Sequence, residues 1–211
     1  MARPDPVPPL HIVTDDEVVG RTDFVDRARL ILEVGGPNLV FHLRAARASG
    51  RRMHDLSCVI GSAIADGAVL LVNDRIDVAL AAADGAQVGA RGVRVRDARR
   101  MLGPDRLLGV SVHTAAEAID VAAEGADFVV AGTIWPTPSH PGREGAGPEL
   151  IREIASSHIA VVAIGGVTPE RAAEAREAGA SGIAVIRGVW DAVDPAEAVR
   201  EYLENWKGTD V

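Results

Sequence analysis

Residues 159–190 read IAVVAIGGVTPERAAEAREAGASGIAVIRGVW. The apolar run from Ala160 to Ile164 is short and uninterrupted, as in a strand buried on both faces. It ends in Gly165-Gly166. Thr168-Pro169-Glu170 then carries helix-start chemistry, with Thr168 as N-cap and Pro169 at the first helical position. A helix with Ala172, Ala175 and Ala178 along one side follows and stops at Gly179. A second apolar run, Gly182 to Ile186, leads into Arg187-Gly188. Two consecutive buried strands, each ending in glycine with free backbone N–H groups, predict a pocket for a small anion. The alternative is a pair of ordinary βα turns that need glycine only for backbone shape.

Working outward, the same alternation of strand-like and helix-like runs fills the chain, which is the pattern of a parallel α/β fold. Strands are predicted at 10–14, 38–43, 69–72, 85–88, 107–110 and 128–131, ahead of the two at 160–164 and 182–186. Helices are predicted between them, and Pro195 to Trp206 forms the last. Thr114 with Glu117 fits a capping box. An open doubly wound sheet is the competing arrangement. Eight regular units with no switch point favour closure into a single-domain (β/α)8 TIM barrel spanning 1–211, with a Pro-rich lead-in at 1–9 and a tail at 207–211. In such a barrel the last two strand ends are where a phosphate is held.

Composition sets further bounds. Hydrophobic residues make up 47% of the 211 and aromatics only 3%, so the core is expected to be aliphatic. No run approaches the ~18 apolar residues of a membrane span. The start, MARPDPVPPL, lacks the apolar centre of a signal peptide. The single cysteine, Cys58, forms no internal disulfide and fits a reducing cytoplasm, with burial in its helix expected. Net charge is −8, which argues against nucleic acid or anionic membrane as the partner. Lys207, in the tail, is the only lysine, and this excludes Schiff-base chemistry on a barrel lysine.

Catalytic groups of a barrel gather at the C-terminal strand ends. The polar residues there are Asp15, His42, Arg44, Asn73, Asp74, Gln87, Ser111, His113, Thr133 and Arg187. Asp74 reads equally as a helix cap or a metal corner; the following strand ends in Gly89-Ala90-Arg91-Gly92 and supplies no second acid. His42, His113 and His140 are acid/base candidates, because imidazole titrates near neutral pH. The 134–148 loop, which carries His140, could close over a ligand. His11, His54 and His158 are read as structural.

Taken together, HIVTD (11–15), HLR (42–44), VNDRIDVAL (72–80), DGAQVGARG (84–92), GVSVHTAAEA (109–118), AGTIWPTPSHPG (131–142), VVAIGGVTPE (161–170) and SGIAVIRGV (181–189) resemble the thiamin phosphate synthase/TenI superfamily. The resemblance implies a TIM barrel acting on thiazole and pyrimidine phosphates. Thiazole phosphate would sit at Gly165, Gly166, Ile186, Arg187 and Gly188, with Arg187 adding to the grip. Synthases of the family join a pyrimidine methyl diphosphate to thiazole phosphate, and magnesium and cationic side chains hold the leaving diphosphate.

Arg44, Asn73, Asp74, Ser111 and Thr137 of the synthase pattern are kept. Its lysine falls on Ala46, its second magnesium-ligating aspartate on Gly92, and its diphosphate-loop lysine on His140. A kept phosphate grip beside a dismantled diphosphate site resembles the TenI branch. The expectation is therefore a thiazole tautomerase with His42 or His140 as acid/base, Thr133 standing where TenI enzymes can carry histidine. No metal or other cofactor is expected in that case; magnesium through Asp74 belongs to the synthase alternative. A non-catalytic thiazole or thiamin phosphate-binding protein is a second alternative, and a homodimer through the barrel helices is open.

Overall fold

The computed structural model describes residues 7–64, 67–89, 92–137, 142 and 144–208. Eight strands form a closed barrel in sequential order: β1 (Leu10–Val13), β2 (Leu39–Leu43), β3 (Val69–Asn73), β4 (Gly85–Val88), β5 (Leu107–Val112), β6 (Phe128–Gly132), β7 (Ala160–Ile164) and β8 (Gly182–Val185). All neighbours pair in parallel, and β1 pairs with β8 to close the ring. Around it lie α1 (Phe24–Gly35), α2 (Gly50–Ala63), α3 (Ile76–Ala82), α4 (Val95–Leu102), α5 (Ala115–Ala123), α6 (Gly147–Ala155) and α7 (Pro169–Glu177). The short α8 (Arg187–Trp190) and α9 (Pro195–Lys207) complete the layer. The expected barrel is the observed one, and α8 is an addition to it.

Strand alternation divides the core in two. Leu39, Phe41 and Leu43 of β2 face outward to the helices, together with Val161 and Ala163 of β7. Val40 faces inward with Val69, Leu71, Leu107, Phe128, Val162 and Ala184, and these fill the barrel. Because side chains alternate along a strand, His11, His42, Asn73, Gln87 and Ser111 share the inward parity. Phe128 is the large plug: its ring lies 5.4 Å from that of His11 and 6.5 Å from that of His42. A Cβ at Gly109 would collide with both Phe128 and Gln87, so glycine there is what lets the interior close.

Caps set the helix entries that aim the loops. Thr168 accepts from the Arg171 N–H at the start of α7, with Pro169 next. Thr114 caps α5, and Glu117 reaches back to the His113 N–H at 2.6 Å. Asp194 accepts from the N–H groups of Ala196 and Glu197 at the start of α9. The seam between β8 and β1 is fastened by α8: Trp190 is fully buried, donates from Nε1 to the Val13 carbonyl at 3.0 Å, and packs on Phe24 and Phe41. Cys58, expected inside, is exposed on α2 beside His54. No helix among the described residues is long and apolar enough to cross a membrane.

Candidate active site at the strand ends

The C-terminal ends of β6, β7 and β8 open into a cavity of about 560 Å³ lined by Thr133, Thr137, Gly165, Gly166, Arg171, Ile186, Arg187, Gly188 and Tyr202, among others. Gly165 and Gly166 both adopt positive φ, +96° and +64°, a conformation glycine takes without penalty. They also meet the β6–α6 loop face to face. A Cβ at Gly165 would press on Thr133, and one at Gly166 on Trp135 and Pro136. The Trp135 N–H donates to the Gly165 carbonyl at 3.0 Å and the Ile134 N–H to the Ile164 carbonyl at 2.9 Å. The cavity wall is thus two loops zipped together by their backbones.

Five of the sequence-predicted residues, Gly165, Gly166, Ile186, Arg187 and Gly188, converge on this cavity, and Thr133 and Thr137 join them. Arg187, expected to add to the grip, is held by carboxylates. Its Nη2 is shared by Asp15 at 2.8 Å and Glu17 at 2.9 Å, which offset its charge, while Nη1 is buried without a hydrogen-bond partner. Among the lining residues that were not candidates are Arg171 and Tyr202. Arg171 donates from Nη1 to the Gly166 carbonyl at 2.6 Å and lies over the Trp135 ring. Tyr202 donates to the Val167 carbonyl at 3.0 Å, and burial pushes its hydroxyl up to about 12. Tyr202 is the chain's single tyrosine, and it sits on the apolar face of α9; that was the available signal.

The other half of the rim, on β2 to β5, is polar. Thr14 accepts from the Arg44 N–H and donates to the Arg44 carbonyl, both at 2.8 Å, which fixes the turn that carries Arg44. Gln87, 3% exposed, donates from Nε2 to the Ser111 hydroxyl at 3.0 Å. Gln87 Oε1 is a buried acceptor without a partner among the described residues; Asn73, paired with Gln87 across β3 and β4, interacts through its side chain with His42, though short of good hydrogen-bond geometry. Such atoms cost free energy unless a donor reaches them; Gln87 Oε1 lies beside Gly109, and neither Asn73 nor Gln87 is among the residues lining the cavity.

His42 does not reach the cavity as a working acid or base. It is 1% exposed, one layer below the rim, with Nε2 2.8 Å from Nδ1 of the equally buried His11. Burial lowers its pKa to about 4, and burial together with His42 holds His11 well below the usual imidazole range. The pair is neutral and shares one hydrogen bond inside the barrel. His113 is tied to the Gly132 carbonyl at 2.6 Å. His140 lies outside the described residues.

Asp74 tests the metal reading. It sits at φ +59° with Oδ1 accepting from the Gly89 N–H at 3.0 Å. A Cβ built on Gly92 would lie 3.1 Å from that oxygen, so position 92 is where a second carboxylate would meet the first. Magnesium is bound through carboxylate and phosphate oxygens in near-octahedral array, and Asp74 alone has one oxygen left to offer. No group of three or more His, Cys, Asp or Glu side chains able to hold a metal occurs among the described residues. Asp74 could hold magnesium only together with substrate phosphates and water.

Comparison with known proteins supplies the context. The family model described as thiamine monophosphate synthase matches residues 10–189. A thiamine-phosphate synthase of Desulfitobacterium hafniense is 35% identical over 202 residues, which is 94% of this chain and 97% of that one. The thiamine biosynthesis bifunctional protein ThiM/ThiE of Symbiobacterium thermophilum is 45% identical over 141 residues, 65% of this chain and 29% of that longer one. Among solved structures, the thiamine phosphate pyrophosphorylase of Pyrococcus furiosus superposes with a TM-score of 0.81 at 31% identity, covering 95% of this chain and 96% of that one.

These names overturn the expectation of an isomerase of the TenI branch: the relatives over nearly the whole chain are synthases, which are transferases. The physical reason agrees. Losing cations at 46 and 140 and a carboxylate at 92 does not build a proton-transfer site, and His42 is shut away from the cavity by burial. From the match across residues 10–189, the barrel and the relatives that share its full length, this chain belongs to the thiamine monophosphate synthase family.

Proposed function

We propose that this chain is a thiamine-phosphate synthase, transferring a pyrimidine methyl group from its diphosphate to a thiazole phosphate. The observation that carries the reading is the cavity at the ends of β6 to β8. Its two glycine turns leave the N–H groups of Gly166, Val167 and Gly188 without a partner among the described residues, in a chain whose full-length relatives bear the synthase name. In this reading Gly165, Gly166, Ile186 and Gly188 hold the thiazole phosphate, with Arg187 closing the wall. N–H donors aimed at an oxyanion bind it strongly in a partly buried site.

The polar half of the rim takes the second substrate. Asn73 and Gln87 accept from the pyrimidine, Ser111 orients the Gln87 amide, and Arg44 and Thr137 meet the diphosphate as it leaves. Asp74 serves first as the cap on the Gly89 N–H. Charge-assisted contacts to a leaving diphosphate are each worth roughly 1.5–3 kcal/mol, so a chain with fewer of them is expected to turn over slowly.

The test is incubation with both substrates and Mg²⁺, reading thiamin phosphate and released diphosphate together. Stoichiometric appearance of the two supports the reading. Product at the uncatalysed rate, with both substrates bound, would sink it.

A further inference from the structure

The loop from Gly166 to Thr168 is gripped by two cavity-lining side chains that neither turn contains. Arg171, on the first turn of α7, donates from Nη1 to the Gly166 carbonyl at 2.6 Å and lies over the Trp135 ring, 5.5 Å from its centroid. Tyr202, on α9, is 2% exposed and donates to the next carbonyl, that of Val167, at 3.0 Å. The Tyr202 hydroxyl also touches the opposite turn, because a Cβ at Gly188 would collide with it. One phenol therefore spans both halves of the cavity wall.

In a trans peptide the C=O and the following N–H point in opposite directions. Fixing the carbonyls of 166 and 167 on Arg171 and Tyr202 thus turns the N–H groups of Val167 and Thr168 the other way. Neither of those N–H groups has a hydrogen-bond partner among the described residues. Unpinned, the glycine-rich peptides could flip and present carbonyl oxygens to an anion, which would repel it.

We propose that Arg171 and Tyr202 are positioning residues, which lock the 166–168 loop with its N–H groups presented for an oxyanion and tie that loop to the Gly188 turn. The anion they serve is the phosphate of the thiazole substrate, so the inference rests on the function proposed above. Arg171 holds one carbonyl by a charged donor; Tyr202 holds the next by a neutral one and sets the spacing between the turns.

The test is calorimetric titration of wild type, Tyr202→Phe, Arg171→Met and Arg171→Lys with thiazole phosphate, and with the unphosphorylated thiazole alcohol as control. Tyr202→Phe and Arg171→Met should each weaken thiazole phosphate about tenfold and leave the alcohol unchanged, and Arg171→Lys should recover part of the loss. In turnover, KM for thiazole phosphate should rise while the KM for the pyrimidine diphosphate stays. Wild type that binds thiazole phosphate no better than the alcohol would overturn both this inference and the proposed function. Equal binding by all variants, or equal loss of phosphate and alcohol with a lowered melting point, would overturn the inference alone.

Discussion

Gly166→Ala probes the wall of the cavity at its tightest point. Gly166 has φ +64°, and a Cβ there would stand 2.6 Å from the Pro136 carbonyl oxygen and 2.8 Å from both Cβ and the carbonyl oxygen of Trp135. The left-handed conformation costs a non-glycine residue about 1–2 kcal/mol. The neighbours are largely backbone, fastened by the Trp135 N–H to the Gly165 carbonyl, so they cannot swing aside, and overpacking of this kind adds about 1–3 kcal/mol. The total is about 2–5 kcal/mol, or a melting point lower by about 4–20 °C in a domain this size.

Gly147→Ala isolates the conformational part. Gly147 has φ +74° and nothing within 4 Å of an added Cβ, so about 1–2 kcal/mol is expected. Urea unfolding with linear extrapolation measures both variants, and steady-state kinetics gives the KM for thiazole phosphate. Gly166→Ala should raise that KM at least tenfold in the folded fraction, while Gly147→Ala leaves it within twofold. Equal stabilities for the two variants, or an unchanged KM in Gly166→Ala, would refute the close-approach argument.

The remaining predictions concern the barrel interior, its lower end and the Asp74 corner. His42 titrates at about 4 when folded against 6.5 unfolded, so below pH 6.5 the unfolded chain takes up a proton that the folded chain refuses. Stability is then full above about pH 6.5 and is lost as pH falls toward 4, by about 3 kcal/mol for His42 alone; a urea midpoint unchanged between pH 7.5 and 4.5 would count against a neutral buried pair. Arg99 reaches the carbonyls of Gly125, Gly103 and Arg106 and pairs with Asp127 at 2.6 Å beneath the barrel. Arg99→Met should cost about 3–5 kcal/mol in thermal unfolding with KM values unmoved, and a loss under about 1 kcal/mol would show the network to be ornamental. Gly92→Asp sets a second carboxylate beside Asp74 and should tighten Mn²⁺ binding at least tenfold by paramagnetic titration; wild type that already binds as tightly would contradict the donor-set reading.

The fold was legible because buried parallel strands declare themselves as short apolar runs. The expected limits of the strands at 85–88 and 160–164 coincide with β4 and β7. The four-residue α8 was not legible, since one turn carries no periodicity; only the packing of Trp190 under Val13 reveals what it does. In the site, Gly165 and Gly166 could be read because their role follows from local backbone shape. His42 could not. Its depth depends on the register that sets Val13 opposite His42 and on a partner, His11, that lies 31 residues earlier. Arg171 looked like an ordinary charge in the first turn of a helix, and nothing local to Tyr202 indicates that it will meet a loop 35 residues before it.

The misreading of the chemistry has a different root. Ala46, Gly92 and His140 are absences from a diphosphate site, and an absent charge is not evidence for a present base. Proton transfer between carbons needs a titratable group within hydrogen-bond reach of the substrate. Of the lining groups able to give or take a proton, the Tyr202 phenol is pushed to about 12 and spends its hydrogen on the Val167 carbonyl, and Glu201 stands beside it on α9, behind the grip. The two buried histidines are neutral and bonded to each other below the rim. What the described residues do offer is backbone N–H groups for a phosphate at the cavity and, beyond its lining on β3 to β5, the polar side chains of Asn73, Gln87 and Ser111. That is equipment for holding two substrates together, and proximity alone can supply about 7–11 kcal/mol of a barrier. The described residues of this barrel are therefore equipped for the proposed transfer reaction and offer no base for an isomerase.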